Sequence, residues 1–195
     1  PLALPPVAPT LESDTDLRRR MLLSFEGLST AGPVGSYIFH ALGADPDIAD
    51  ASVQSPAPGE VLVTVLSRTG DGYAAPALLS AVATVLNADE VRPLCDQVTV
   101  QGAEILNYAV SASLTVYPGP DSNVVREAAE AAVSAYVDAQ HRLGRDVTLS
   151  GLYAALHRPG VQKVTLAAPV ADLPVDDGQT AYCTGITVEL GGVNV

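Results

Sequence analysis

The chain has 195 residues, of which 48% are apolar and 16% charged, a composition that fits a folded protein with one medium core or two small ones. Ten Lys and Arg against 22 Asp and Glu leave a formal net charge of -12. Nucleic acids and anionic lipids are bound mainly through cationic side chains, so this charge argues against both as partners.

Other global features argue against a membrane span and a disulfide framework. The longest uncharged stretches are shorter than the ~20 apolar residues that a bilayer crossing needs. The two cysteines, Cys95 and Cys183, lie in no CxxC pair or zinc-ligand spacing, and we expect reduced thiols. The chain opens on Pro1 with no initiator Met or basic leader, and we expect it to be a piece of a longer polypeptide.

The first half of the sequence predicts an extended arm followed by an α+β unit. Residues 1–11 hold four prolines and predict an arm or linker. Ser13 and Asp16 resemble a capping box, and Leu17, Met21 and Leu22 recur at helical spacing, which predicts a helix to about residue 25. Further predicted elements are a helix from 32 to 43, an extended piece at 48–53, a central strand at 60–67 and a helix at 76–87.

The second half contains the clearest strand signal, an alternation of apolar and small polar residues over 106–117. A long helix is predicted at 122–143, a second helix from Thr148 to 156, and strands at 161–167 and 181–190. We therefore predict an α+β fold of two small subdomains, with mixed sheets and packed helices, at 12–97 and 98–195. Residues predicted for the two cores are Val61, Val63, Val65, Leu78 and Val82 in one, and Val110, Leu114, Val133, Tyr136 and Leu152 in the other. A weak echo between residues 46–56 and 159–169 is consistent with duplication and equally with chance.

One motif resembles a nucleotide-binding loop. Gly70-Asp71-Gly72-Tyr73-Ala74-Ala75 satisfies the loose GxGxxA form between a predicted strand and a predicted helix. Asp71, however, places a carboxylate where a pyrophosphate would have to sit. We interpret the segment as a tight turn with two glycines at positive φ, and keep a ligand site at Gly70 to Ala75 as the alternative.

No catalytic, cofactor-binding or metal-binding residue is predicted. His40, His141 and His157 lie on separate predicted helices, and neither cysteine lies in a nucleophile motif. The acidic clusters at 12–16, 45–50 and 176–177 do not match a calcium loop, and we assign them to caps and turns. The run Arg18-Arg19-Arg20 predicts a solvated face or an inter-subunit salt bridge.

Several longer segments, in order along the chain, carry a family resemblance. They are Glu12-Ser13-Asp14 with Leu17-Arg18 and Arg20, Ser29-Thr30-Ala31-Gly32-Pro33-Val34-Gly35-Ser36-Tyr37, Ser55-Pro56-Ala57-Pro58-Gly59, Tyr117-Pro118-Gly119-Pro120, His141-Arg142-Leu143-Gly144-Arg145-Asp146-Val147-Thr148, Leu152-Tyr153-Ala154-Ala155-Leu156 and Ala181-Tyr182-Cys183-Thr184. Together they resemble the baseplate J-like family of contractile-tail phages and prophage tails, over about residues 12–190.

The resemblance implies a structural, non-enzymatic component of a baseplate wedge with a middle and a C-terminal α+β domain. It implies contacts with other wedge proteins and with further copies of the chain, and a place in the virion tail after assembly in the bacterial cytoplasm. Family members are longer at the N-terminus, so the chain resembles one without that part. The alternative function is a small-ligand-binding or enzymatic α+β domain that uses the turn at 70–75.

Overall fold

The computed structural model describes residues 13–29, 32–119 and 121–194. The predicted Pro-rich arm, residues 1–11, lies outside them. The described chain divides into two compact units, the first containing residues up to 69 together with 74–102, and the second containing 70–73 together with 103–194. Each unit combines helices with one mixed three-stranded sheet, which confirms the predicted α+β class.

The first unit is built around a central strand. Its elements are α1 (Asp14–Leu23), a short 3-10 helix (Glu26–Leu28), α2 (Val34–Ala44), β1 (Ile48–Gln54), β2 (Glu60–Ser67), α3 (Pro76–Leu86) and β3 (Gln97–Gly102). Strand β2 pairs antiparallel with β1 and parallel with β3. Pro76 occupies the first turn of α3, where its missing N–H leaves no helical hydrogen bond unmade. Helix α3 then buries one apolar stripe, Leu78, Val82 and Leu86, against the sheet residues of the first core.

The second unit repeats this sheet pattern with a different chain order. Its elements are β4 (Glu104–Val116), α4 (Ser122–Gln140), α5 (Leu149–Leu156), β5 (Val161–Ala168) and β6 (Gln179–Val193). Strand β4 lies in the centre, antiparallel to β5 and parallel to β6. The apolar residues of β4 alternate toward the core, where α4 contributes Val125, Ala129, Val133 and Val137.

Both predicted core sets are confirmed. The five residues predicted for the first core all belong to one hydrophobic cluster, in which Val61 is partly buried. The five predicted for the second belong to another cluster, in which Tyr136 is partly buried.

Two details differ from the sequence prediction, and a third concerns the sequence echo. Residues 98–102, which the predicted division assigned to the second domain, form most of β3 and pair with β2 in the first unit. The long helix ends at Gln140 and not at 143, because His141 leaves helical geometry at φ -71 and ψ 71. The segments of the sequence echo both form a turn and an edge strand, β1 and β5, but the next strand is central in the first unit and an edge in the second.

Candidate functional site

Helix α1 begins at a capped N-terminus. Ser13 accepts the Asp16 N–H through its side-chain oxygen at 3.2 Å, and its hydroxyl donates to the Asp16 carboxylate at 2.6 Å. This is the predicted capping pattern, and it fixes where the helix begins. The side-chain contacts of α1 then determine how the helix is rotated about its own axis.

One side of α1, its polar face, makes ion pairs with β1 and with the residue that follows β2. Arg19 Nη2 lies 2.6 Å from Asp50 Oδ1 on β1, and the Asp50 carboxylate also accepts the Ala51 N–H at 3.0 Å. Arg68, which follows β2, lies 3.1 Å from the Asp16 carboxylate and donates to the Ile48 carbonyl at 3.0 Å. Ion pairs and hydrogen bonds therefore connect α1 to β1 and to the end of β2, and no residue of α1 is buried.

These contacts correct one expectation. The sequence predicts a solvated face or an inter-subunit salt bridge for Arg19, which instead pairs with Asp50 of the same chain. The apolar residues Leu17, Met21 and Leu22 of the predicted helix are exposed, whereas Arg19, Arg20 and Leu23 are half-buried.

Four large apolar side chains in α1 and in the turn and 3-10 helix that follow it are exposed. These side chains, with their exposed fractions, are Met21 (61%), Leu22 (81%), Phe25 (80%) and Leu28 (80%). We call these four residues the ridge. Large contiguous apolar patches on a protein surface mark interaction sites more often than scattered apolar residues do. Sequence reasoning missed the ridge, because the periodicity of α1 shows an apolar stripe without showing which way it faces.

A cleft of about 260 Å³ lies beside the polar face of α1 and is lined by residues that include Asp16, Arg19, Arg20 and Arg68. Two of its cations, Arg19 and Arg68, are paired with carboxylates. An incoming anion would have to displace those carboxylates, so the cleft is a poor anion site.

The turn at 70–75 has the geometry of a tight turn. Gly70 and Gly72 adopt φ of +64° and +96°, as predicted for the turn interpretation. The Asp71 carboxylate accepts the Tyr73 N–H at 3.0 Å. That backbone donor is therefore already used within the turn, and the Asp71 carboxylate would repel an anion beside it.

His40, His141 and Cys183 have structural surroundings. Nδ1 of His141 lies 2.9 Å from the Ala181 carbonyl, and the ring of His40 packs edge to face on Phe39. Burial raises the pKa of the Cys183 thiol, which disfavours the reactive thiolate. Cys95 is exposed. Among the residues that the structure describes, no group of three His, Cys, Asp or Glu side chains could hold a metal ion.

Several residues in the segments that carry the family resemblance make contacts within each unit. Tyr37 donates its hydroxyl to the Asp96 carboxylate at 2.6 Å, which joins α2 to the residue preceding β3. Asp146 accepts the Val175 N–H at 2.8 Å, and Thr148 caps α5 through the Gly151 N–H at 3.2 Å. These segments therefore fix loops and helix ends.

The described helices contain no segment that is long and apolar enough to cross a bilayer.

The matches to known protein families coincide with the division of the chain into two units. A family model described as the baseplate J-like central domain matches residues 29–102, and the model of the baseplate J-like C-terminal domain matches residues 108–189. Baseplate protein J of Escherichia phage P2 is 50% identical over 189 residues, which is 97% of this chain. The chain spans 63% of the length of that relative.

A solved structure has the same fold at low sequence identity. It is the cryo-EM structure of the anti-feeding prophage baseplate, in which one chain matches 88% of this chain with a TM-score of 0.59 and 18% identity. This chain covers 42% of that one. With both family models matched in order, the chain belongs to the baseplate J-like family of contractile-tail phages and carries its central and C-terminal domains.

Proposed function

We propose that the chain is part of a structural component of a contractile phage-tail baseplate wedge, and that it acts in baseplate assembly through protein–protein contacts. The observation that carries the proposal is its 50% identity with Baseplate protein J of phage P2 over 189 residues. At that identity the fold is shared, so a common structural role is the simplest account. The proposed partners are other wedge proteins and further copies of the chain.

The surface of the first unit supports a contact function. The ridge exposes four large apolar side chains, while the polar face of α1 is held by ion pairs within the chain. Such an arrangement costs solubility unless a partner covers the apolar side. We propose a virion tail location after assembly in the host cytoplasm, with no nucleic-acid or membrane partner.

We propose a non-enzymatic role, without cofactor or metal. The alternative, a small-ligand or enzymatic domain at residues 70–75, is disfavoured by the bond between Asp71 and the Tyr73 N–H. A nucleotide that binds the purified chain stoichiometrically, and that an Asp71→Arg variant binds more tightly, would favour the alternative.

Gene deletion in a phage or prophage that encodes the chain tests the proposal. We expect particles without baseplates or with unassembled tails, and restoration of tails by complementation with the intact gene. Normal contractile tails in the deletion strain, seen by negative-stain electron microscopy, would contradict the proposal.

A further inference from the structure

We propose that α1 undocks from the first unit as a local element, with the 3-10 helix (Glu26–Leu28) as its fixed end, and that ionic strength sets how often it opens. This inference goes beyond the proposed function, because it concerns the folded chain and does not depend on tail assembly. Three observations carry it: the shallow burial of α1, the ion pairs that hold it, and the close packing of the 3-10 helix on α2.

Helix α1 contributes little to the core of its unit. All ten of its residues are described, and none of them is buried. Helices α2 and α3 each bury three residues. Segments that bury few apolar side chains open with smaller free energies than the elements of the core. Local opening of the first unit should therefore begin at α1.

Ion pairs connect α1 to the rest of its unit. Arg19 Nη2 lies 2.6 Å from the Asp50 carboxylate, and Arg68 Nη1 lies 3.1 Å from the Asp16 carboxylate. The side chains of Arg19 and Arg68 are 38% and 45% exposed, so water and dissolved ions reach both pairs. Salt weakens ion pairs at this degree of exposure. The docked state of α1 should therefore lose population as the ionic strength rises.

The 3-10 helix is attached more firmly, because two glycines allow it to approach α2 closely. Gly27 faces the ring of Phe39, and a Cβ atom at that position would overlap the ring. A Cβ atom on Gly35 of α2 would come within 2.8 Å of Glu26 Cγ. These contacts join carbon atoms, and salt does not weaken them as it weakens ion pairs. Helix α1 therefore moves while the 3-10 helix stays on α2.

Opening changes the surface of the first unit. Met21 and Leu22 move with α1, whereas Phe25 and Leu28 stay with the turn and the 3-10 helix. Asp50, on the edge strand β1, loses its guanidinium partner and becomes accessible. The unit therefore offers a different surface to its surroundings when α1 is open.

Hydrogen exchange reports the opening of α1 directly. An isolated helix shorter than about 12–15 residues is marginal in water. Helix α1 has ten residues, so the undocked segment loses its helical hydrogen bonds and exchanges its backbone amides. The Leu17 N–H, which donates to the Ser13 carbonyl at 2.9 Å, is one of the amides that the docked state protects.

Amide exchange of the 195-residue chain, followed by NMR at about 50 mM and about 1 M sodium chloride, tests the inference. We expect the amides of α1 to exchange about fivefold faster at the higher salt concentration, because both ion pairs are screened. The amides of α2 and β2 should change by less than about twofold, because they belong to the apolar core.

Charge-removing variants test whether the two ion pairs control the opening. Arg19→Gln and Arg68→Gln should each accelerate the exchange of α1 about tenfold at low salt, and the double variant should lose the response to salt. Glutamine and arginine have similar helix propensities, so Arg19→Gln leaves the intrinsic helicity of α1 nearly unchanged. Arg18→Gln is the matched control. Its pair with Asp14 is exposed and measures 4.0 Å, so exchange should change by less than about twofold.

Several results would overturn the inference. They are α1 amides that exchange as slowly as those of β2, exchange of α1 that does not respond to salt, and acceleration of α2 together with α1. Amides of α1 without protection even at low salt would show that no docked state exists, and would overturn it as well. The gene-deletion test of the proposed function is independent of all these outcomes.

Discussion

Arg19 should stabilise the first unit far more than its neighbour Arg18. Arg19 Nη2 lies 2.6 Å from Asp50 Oδ1, and the Asp50 side chain is only 9% exposed. Arg19→Ala leaves that carboxylate with the Ala51 N–H as its partner. Removing one partner of a fully buried ion pair costs about 3–5 kcal/mol.

The expected loss is smaller, because the Arg19 side chain is 38% exposed and water screens the pair. We expect the free energy of unfolding to fall by about 2 kcal/mol. For a chain of this size, that change lowers the melting temperature by about 4–8 °C. Arg18→Ala is the control, since its partner lies 4.0 Å away in an exposed pair, and it should cost less than about 0.5 kcal/mol.

The measurement is urea and thermal unfolding followed by circular dichroism at 222 nm. Arg19→Lys should recover about half of the loss, because the charge remains while the forked geometry is lost. Equal effects of Arg19→Ala and Arg18→Ala would refute the assignment of Arg19 as the anchor of α1.

Three further predictions concern the two cores. Among the described residues, the buried Tyr108 hydroxyl has no hydrogen-bond partner, so Tyr108→Phe should raise the unfolding free energy by about 1 kcal/mol in urea titrations; a loss would show that the hydroxyl is satisfied. Burial and the bond to Asp96 raise the pKa of Tyr37 well above its ordinary value of about 10. The folded state therefore keeps that proton while the unfolded state loses it, so the stability contribution is complete below pH ~10 and falls above it; Tyr37→Phe should flatten this fall in melts between pH 8 and 11. Val63→Ala should lower the stability of the first unit by about 1–3 kcal/mol and Leu114→Ala that of the second by about 2–5, and hydrogen exchange should show each loss confined to its own unit if the units are separate domains.

The strongest local patterns predicted the elements that pack within each unit. The alternation along β4 and the apolar stripe of α4 are long, and both bury the residues that the pattern indicated. The capping side chains were equally predictable from the sequence. Ser13 and Thr148 bond to backbone groups only three residues away, so the whole interaction lies within a short segment.

Local sequence patterns could not predict two features of the first unit. Strand β3 has only six residues, and Val98 and Val100 are its only large apolar side chains, so the period is too short to separate it from a linker. The contacts of α1 with Asp50 and Arg68 join residues that lie more than 30 positions apart in sequence. Ion pairs between residues so far apart in sequence produce no periodic pattern from which the contact could be predicted.

The most direct test of the structural role is a cryo-EM map of a purified tail from a phage or prophage that encodes this chain. We predict density for both units in the baseplate, with protein–protein contacts that together bury about 2,000 Å² or more, as obligate assemblies do. A complete baseplate map with no density for either unit, in particles that are fully contractile, would contradict the account.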